Sequence, residues 1–307
     1  MILMVNTLLE IMYIICGLVL VICGVYALND SANTKKIGTA AFWIIFGIIF
    51  MAGPYMNPAL VGALLLVMGG LTATKNVRLG SLKNSSDEYR IVQEEKIGNK
   101  IFIPALSIGV VAFSVAQFTN LGGLVGLGVG ALVSLILTML VTKESVKNIP
   151  YDSSRMLQQM GASVILPQLL GALGALFAKA GVGEVVAGIM SGIIPDGNRL
   201  LGVVGYCIAM AIFTMIMGNA FAAFAVITAG IGVPFVINLG ANPAIVGALG
   251  LTAGYCGTLM TPMAANFNIV PASILEMENK NGIILVQAPV AITLLLIHIV
   301  LMYILAF

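Results

Sequence analysis

Two short interruptions in apolar sequence carry the residues best suited to chemistry in this chain. The first covers residues 217–221, and apolar runs flank it on both sides. Glycine can take the left-handed conformation that ends a helix, and asparagine is a favoured N-cap, so Gly218 and Asn219 predict one helix end and the next helix start. Because this turn carries no charge, we interpret 200–238 as a re-entrant hairpin that enters from outside, with Ala220 at its buried tip. The alternative is two ordinary spans with a tight cytoplasmic turn.

The second interruption lies within the apolar run 244–275, which is too long for one straight span. Gly257 suits the end of a first half-helix. Thr261 followed by Pro262 predicts the start of a second half-helix, since a hydroxyl N-cap before a proline is a strong start signal. The alternative is a single proline-kinked helix. Further neutral donors and acceptors occur in the same run: Thr258, Asn266 and Asn268.

Two breaks at membrane depth predict a binding site. Non-helical backbone survives there only where it lines a cavity or is buried in protein. The N–H groups at a helix start attract an anionic group, and the carbonyls at a helix end coordinate a cation such as Na⁺. We therefore expect a site for a small carboxylate and for Na⁺ at both breaks. The candidate residues are Gly218, Asn219, Ala220, Gly257, Thr258, Thr261, Pro262, Asn266 and Asn268.

The chain offers little for catalysis. The single histidine, His298, lies near the C-terminus, and no acidic residue falls in the middle of an apolar run. Sequence patterns of zinc proteases and serine hydrolases are not present. We expect no enzyme activity, and no cofactor other than a coupling Na⁺.

The composition indicates that lipid surrounds the helices that position these breaks. Of the 307 residues, 60% are hydrophobic and only 8% are charged, whereas soluble domains carry about 25% charged residues. An all-α, polytopic membrane protein is predicted, with about 9–10 membrane segments including the hairpin and the broken helix. Outside 200–275, the runs long enough to span are 7–28, 37–56, 58–74, 101–119, 121–142, 156–178 and 283–306.

Basic residues predict the orientation. With the N-terminus outside, all of the 14 Lys and Arg residues except Lys179 and Arg199 fall in cytoplasmic loops, as the positive-inside rule requires. The net charge is +2 and no basic face suits nucleic acid. We expect a multi-pass protein of the cell membrane. The predicted organisation is a three-helix unit at 1–74, a cytoplasmic linker at 75–100 and a transporter repeat at 101–307. The repeat divides into scaffold helices at 101–178, an arm helix at 181–194, the hairpin at 200–238, the broken helix at 244–275 and a last helix at 283–306.

The order of elements from residue 101 onward resembles one inverted repeat of the ion transporter superfamily. That group includes divalent anion/sodium symporters, gluconate and citrate permeases and the membrane subunits of tripartite periplasmic transporters. The resemblance implies that the hairpin tip and the broken helix carry the substrate and sodium sites. The matching positions are Gly218, Asn219 and Ala220 at the tip, and Gly257, Thr258, Thr261 and Pro262 at the break. Of the Ser-Asn-Thr tip found in that group, only the asparagine is kept.

The whole chain, including TLMTPMAANFNIVPA at 258–272, is also similar to a bacterial inner-membrane protein family linked to two-component 5-oxoproline transport. This resemblance implies a subunit of a Na⁺-coupled secondary transporter for a small carboxylate such as 5-oxoproline. Residues 1–74 supply three extra helices and no second hairpin, so half of the site is expected from a second membrane subunit or from a second copy of this chain. The alternative function is a channel or a non-transporting membrane scaffold.

Overall fold

The protein is all-α and polytopic. A computed structural model describes residues 2–195 and 197–307; it is 81% helical, and no strand occurs among these residues. Eight helical segments of the described chain are long and apolar enough to cross a membrane. They are Met4–Asn29, Lys36–Tyr55, Asp87–Phe118, Gly123–Thr142, Val146–Lys179, Arg199–Met217, Ala220–Leu239 and Gly282–Ala306. The prediction of an all-α, polytopic membrane protein is therefore confirmed.

The chain forms two compact units, Met1–Gly161 and Ala162–Phe307. The predicted organisation placed the division in the linker at 75–100 instead. The difference has a physical reason, because the first long helix packs against segments on the far side of that linker, within 123–160. The predicted span 156–178 is also interrupted, at Gly161, where φ is +62°.

The first unit is built on a close pair of helices. Its α-helices are α1 (Ile2–Asn29), α2 (Lys36–Ala52), α3 (Pro58–Ala73), α4 (Asp87–Ile97), α5 (Phe102–Phe118), α6 (Gly123–Thr142) and α7 (Ile149–Met160), with 3₁₀ turns at Gly53–Tyr55, Gly98–Ile101 and Val146–Asn148. A Cβ placed on Gly17 of α1 would lie 2.7 Å from the Gly47 carbonyl oxygen of α2, and the reverse distance is also 2.7 Å. The two backbones therefore touch, as small residues allow between membrane helices.

The segment between α3 and α4 is fastened to the helix ends around it. The carboxylate of Asp30, which follows α1, accepts hydrogen bonds from the Ser81 backbone N–H at 2.5 Å and from the Ser81 hydroxyl at 2.8 Å. The Gly80 N–H donates to Gln158 Oε1 of α7 at 3.1 Å. On α2, the Thr39 hydroxyl accepts from the Arg78 N–H at 3.0 Å. Residues 78–81 are thus held by helices α2 and α7 and by the residue that follows α1.

The second unit is built around the helix Arg199–Met217, which is α10. Its α-helices are α8 (Leu166–Lys179), α9 (Val182–Ser191), α10 (Arg199–Met217), α11 (Ala220–Ile227), α12 (Val233–Phe235), α13 (Pro243–Leu259), α14 (Ile269–Ile274) and α15 (Gly282–Ala306), with a π-helical turn at Thr228–Gly232 and a 3₁₀ turn at Ile237–Leu239. Helix α10 packs against α11, α13 and α15. Its Tyr206 ring is fully buried, and the hydroxyl is 2.8 Å from Thr228 Oγ1 in the π-helical turn. This bond fixes the second arm of the hairpin against the first.

Replacing Asp30 with alanine is expected to free the segment 78–81. Burial raises the pKa of this carboxyl, but hydrogen bonds from Ser81 and Ala32 lower it by more, so the pKa of Asp30 lies below its ordinary value. Hydrogen bonds to a charged group are worth about 1.5–3 kcal/mol each, so Ser81 amide exchange should accelerate more than about tenfold in D30A. Hydrogen–deuterium exchange by mass spectrometry measures this change.

Asp87→Ala is the matched control, because Asp87 pairs only with Arg90 at the surface. Since the folded-state pKa of Asp30 is depressed, its stabilising effect should be present at neutral pH and lost as pH falls through that pKa, below the usual carboxyl range. Equal exchange at Ser81 in D30A and D87A would contradict the role given to Asp30.

Candidate functional site

The turn between α10 and α11 has the local geometry predicted for it, a helix stop followed by a helix start. Helix α10 ends at Gly218, whose φ is +68°, and the Gly218 N–H closes the helix on the Thr214 carbonyl at 2.7 Å. Asn219 then caps α11: its Oδ1 accepts from the N–H groups of Phe221 at 2.9 Å and Ala222 at 3.3 Å. The prediction of a glycine stop followed by an asparagine start is confirmed.

The second break differs from its prediction. Helix α13 continues two residues beyond Gly257 and ends at Leu259, and the next helix begins only at Ile269. Thr261 and Pro262 therefore do not start a helix; they lie in a stretch of turns between Leu259 and Ile269. Gly257 lies within α13 at a point where this helix packs closely on α10. A Cβ on Gly257 would lie 2.2 Å from the Ala211 carbonyl oxygen. Gly257 serves helix contact, not helix termination.

The two breaks meet directly. The Thr261 hydroxyl donates to the Met215 carbonyl in the last turn of α10 at 2.9 Å, and it accepts from the Met263 N–H at 3.2 Å. A Cβ on Gly218 would lie 2.5 Å from the Met263 carbonyl oxygen. The tip and the break are therefore in backbone contact, and one threonine hydroxyl joins them.

Asn268 closes the carbonyl end of the broken helix. Its side-chain amide is fully buried, and Nδ2 donates to the Thr258 carbonyl at 2.8 Å and to the Thr261 carbonyl at 2.7 Å. Carbonyls at a helix end need such partners when water is absent. The amide oxygen of Asn268 is also buried and has no hydrogen-bond partner in the described chain.

A row of glycines brings α13 against α10. A Cβ on Gly250 would lie 2.2 Å from the Tyr206 hydroxyl, and one on Gly254 would lie 2.8 Å from the Met210 Cε. Together with Gly257, these positions lie three or four residues apart and share one helix face. This close approach fixes the position of the break along α10, and therefore its distance from the hairpin tip.

The breaks line a cavity of about 200 Å³. Of the predicted site residues, the structure brings five to its wall: Gly218, Asn219, Ala220, Thr258 and Asn266. Three others, Gly257, Thr261 and Asn268, are buried and hold the breaks together without lining the cavity. Pro262 is exposed and is not part of the wall.

Several wall residues were not predicted. Three are aromatic, namely Phe221, Tyr255 and Phe267, and the others are Pro167, Leu170, Met263 and Ala265. The aromatic residues lie one to three positions from predicted site residues, which is a signal the sequence did contain. Pro167 and Leu170 of α8 carried no such signal, because their place at the tip follows from tertiary packing.

The cavity wall is uncharged but offers hydrogen-bond donors. None of the described residues that line it is Asp, Glu, Lys, Arg or His. The backbone N–H groups of Asn219 and Asn266 donate to no atom of the described chain, and neither does the side-chain amide of Asn266. The N-terminus of α11, capped by Asn219, also points its peptide dipoles toward this region. The wall is therefore suited to a ligand that accepts hydrogen bonds.

Fold and site together define a polytopic α-helical membrane protein with two joined helix breaks around a neutral cavity. Residues 10–307 match a protein family described as "Protein of unknown function (DUF979)", and the chain belongs to that family. No curated protein and no solved structure matches the chain.

Alanine at Gly257 is expected to force α10 and α13 apart. The added Cβ would meet the Ala211 carbonyl at 2.2 Å, and backbone cannot give way as a side chain can. Overpacking of this kind costs about 1–3 kcal/mol, so the melting temperature of G257A should fall by several degrees. Gly247→Ala on the same helix is the control, since its Cβ would meet only the Phe224 ring, at 3.7 Å. Equal melting temperatures for the two variants would refute this account of the contact.

Valine at Thr261 is expected to loosen the joint between the breaks. The change removes the donor to the Met215 carbonyl, and an unpaired buried carbonyl costs about 1–3 kcal/mol. Amide exchange at residues 215–219 should accelerate. Thr252→Val is the control, because that hydroxyl is exposed and bonds only to carbonyls of its own helix. If exchange at the tip is the same in both variants, Thr261 does not hold the tip.

Proposed function

We propose that this chain is a subunit of a secondary active transporter that carries a small carboxylate, coupled to Na⁺. The observation that carries the proposal is the meeting of two helix breaks at one uncharged cavity between apolar helices. Broken helices of this kind form the substrate sites of many secondary transporters, near the midplane of the bilayer. 5-Oxoproline is proposed as the carboxylate on the family resemblance alone.

The donors of the cavity support an anionic substrate. A carboxylate placed between Asn219 and Asn266 would receive hydrogen bonds from two free backbone N–H groups and from the Asn266 amide. The N-terminal dipole of α11 adds positive potential without a full charge. Binding through neutral donors lets a charged substrate leave again, which transport requires and which a buried lysine would oppose.

Buried oxygen atoms support a coupling cation. Two of them have no donor in the described chain: Asn268 Oδ1 at the break and Thr214 Oγ1 one turn before the tip. A buried polar atom without a partner is costly, and Na⁺ is bound through oxygen ligands of this kind at broken helices. The backbone carbonyls of Thr258 and Thr261 are already paired with the Asn268 amide. In this proposal Asn268 therefore contributes its own oxygen to the cation and holds those two carbonyls in place.

The remaining parts of the proposal concern topology and partners. We place the chain in the cell membrane with its N-terminus outside and with 75–100 in the cytoplasm, and we interpret 200–238 as a re-entrant hairpin. A second membrane subunit, or a second copy of this chain, would supply the other half of the transporter. A channel or a non-transporting scaffold is the alternative, and accumulation of solute against its gradient distinguishes a transporter from both.

The decisive experiment replaces Asn219 with alanine. Membrane vesicles from host cells that express the chain in place of the chromosomal copy are loaded without Na⁺, and uptake of radiolabelled 5-oxoproline is followed after an inward Na⁺ gradient is imposed. We expect accumulation by the wild type, none when choline replaces Na⁺, and loss of uptake by more than about tenfold in N219A, because a cap and a cavity wall are lost together.

Asn242→Ala is the matched control for this variant. Asn242 caps α13 as Asn219 caps α11, by accepting from the next two helical N–H groups, but it does not line the cavity. Both variants should lose about 1 kcal/mol of helix stability, and only N219A should lose uptake. Wild-type uptake in N219A, or accumulation without any ion gradient, would overturn the proposal.

A further inference from the structure

Three aromatic rings form a continuous wall along the cavity. The ring of Phe221 lies 6.0 Å from that of Tyr255 at an interplanar angle of 88°, and the Tyr255 ring lies 6.1 Å from that of Phe267 at 56°. Both distances are within the range of attractive aromatic pairs. Each ring comes from a different segment: the hairpin, the first half of the broken helix and the turns after the break. We call these three rings the aromatic wall.

The aromatic wall is not part of the packed core. Phe221 is 63% exposed and Phe267 is 37% exposed, whereas the large side chains of the core around Tyr206 and Met210 are fully buried. All three residues line the cavity together with Asn219 and Asn266. A ligand in the cavity would therefore meet aromatic rings and free hydrogen-bond donors at once.

Because the described wall residues include no charged side chain, the wall limits the charge that a ligand can carry. A single carboxylate has the neutral donors of Asn219 and Asn266 to compensate it. A second carboxylate would find no lysine, arginine or histidine among the described residues of the wall. Burying an uncompensated charge in a low-dielectric site is strongly unfavourable.

We infer that the aromatic wall selects monocarboxylates whose body is a small, flat and largely apolar ring, and that the cavity rejects di- and tricarboxylates. The ring of the substrate packs on Phe221, Tyr255 and Phe267, and its carboxylate receives the amide donors. This inference rests on the proposed function and names its substrate class. The class is wider than 5-oxoproline, because packing on the three aromatic ring faces depends on the shape of the substrate ring and not on its lactam group.

The test compares ring acids with linear acids in binding. Membrane vesicles from host cells that express the full chain are equilibrated with radiolabelled 5-oxoproline. Unlabelled cyclopentanecarboxylate, succinate and citrate then compete for the site. We expect cyclopentanecarboxylate to compete within a few-fold of 5-oxoproline, and succinate and citrate to be weaker by more than about a hundredfold, since an unpaired buried charge costs at least about 3 kcal/mol.

Substitutions in the aromatic wall test whether its rings cause this selectivity. Tyr255→Leu and Phe267→Leu should each weaken binding of the ring acid by about fivefold to tenfold, the usual loss for one aromatic contact. Phe113→Leu is the control for loss of an exposed phenylalanine, since Phe113 lies on α5 outside the cavity. Two leucine variants are used so that poor insertion of one does not remove the test.

The outcomes separate this inference from the proposed function. If succinate competes as well as cyclopentanecarboxylate, or if both inserted leucine variants bind the ring acid as the wild type does, the aromatic wall does not select substrate, while carboxylate binding stands. If the wild type binds none of the four acids, the proposed function and this inference fail together. Selective loss in the leucine variants, with wild-type binding in F113L, supports the inference.

Discussion

The fold of the second unit depends on the hydrogen bonds made to backbone groups that two helix breaks would otherwise leave unpaired in an apolar environment. Each break frees carbonyls that water would pair in a soluble protein, and in lipid each unpaired group costs several kcal/mol. Three groups close them: the Gly218 N–H, the Thr261 hydroxyl and the Asn268 amide. Because Thr261 takes its acceptor from the last turn of α10, the hairpin tip does not satisfy its carbonyls alone. The two interruptions are therefore energetically coupled.

Close packing is the condition under which these few hydrogen bonds suffice. Gly254 and Gly257 bring α13 onto α10, and Gly218 brings the tip onto the Met263 carbonyl. A Cβ at Gly218 or Gly257 would collide with a backbone carbonyl oxygen, at 2.5 Å and 2.2 Å respectively, and would force the two segments apart. The glycines are therefore a geometric requirement of the site, although only Gly218 lies on the cavity wall.

Local signals predicted local features well, and tertiary contacts decided the rest. Gly218 and Asn219 act through neighbouring residues, so their stop and start signals could be read from the sequence and are confirmed. The signal at Thr261 and Pro262 was equally strong, but the structure uses the Thr261 hydroxyl for Met215 instead of a helix start. The aromatic wall could not be assembled from sequence, because its three rings are joined only by the meeting of the breaks.

The joint between the breaks also limits how the proposed transporter could open its site. The backbone contact between Gly218 and Met263 and the Thr261 bond to Met215 would be lost together if the hairpin moved away from the broken helix. Such a motion would leave these carbonyls without their hydrogen-bond donors, at a cost that solute binding would have to offset. Alternating access is therefore cheaper if the hairpin tip and the break move as one body that carries the cavity between them. In that motion the aromatic wall stays intact, and the substrate keeps its ring contacts while the surroundings of the cavity change.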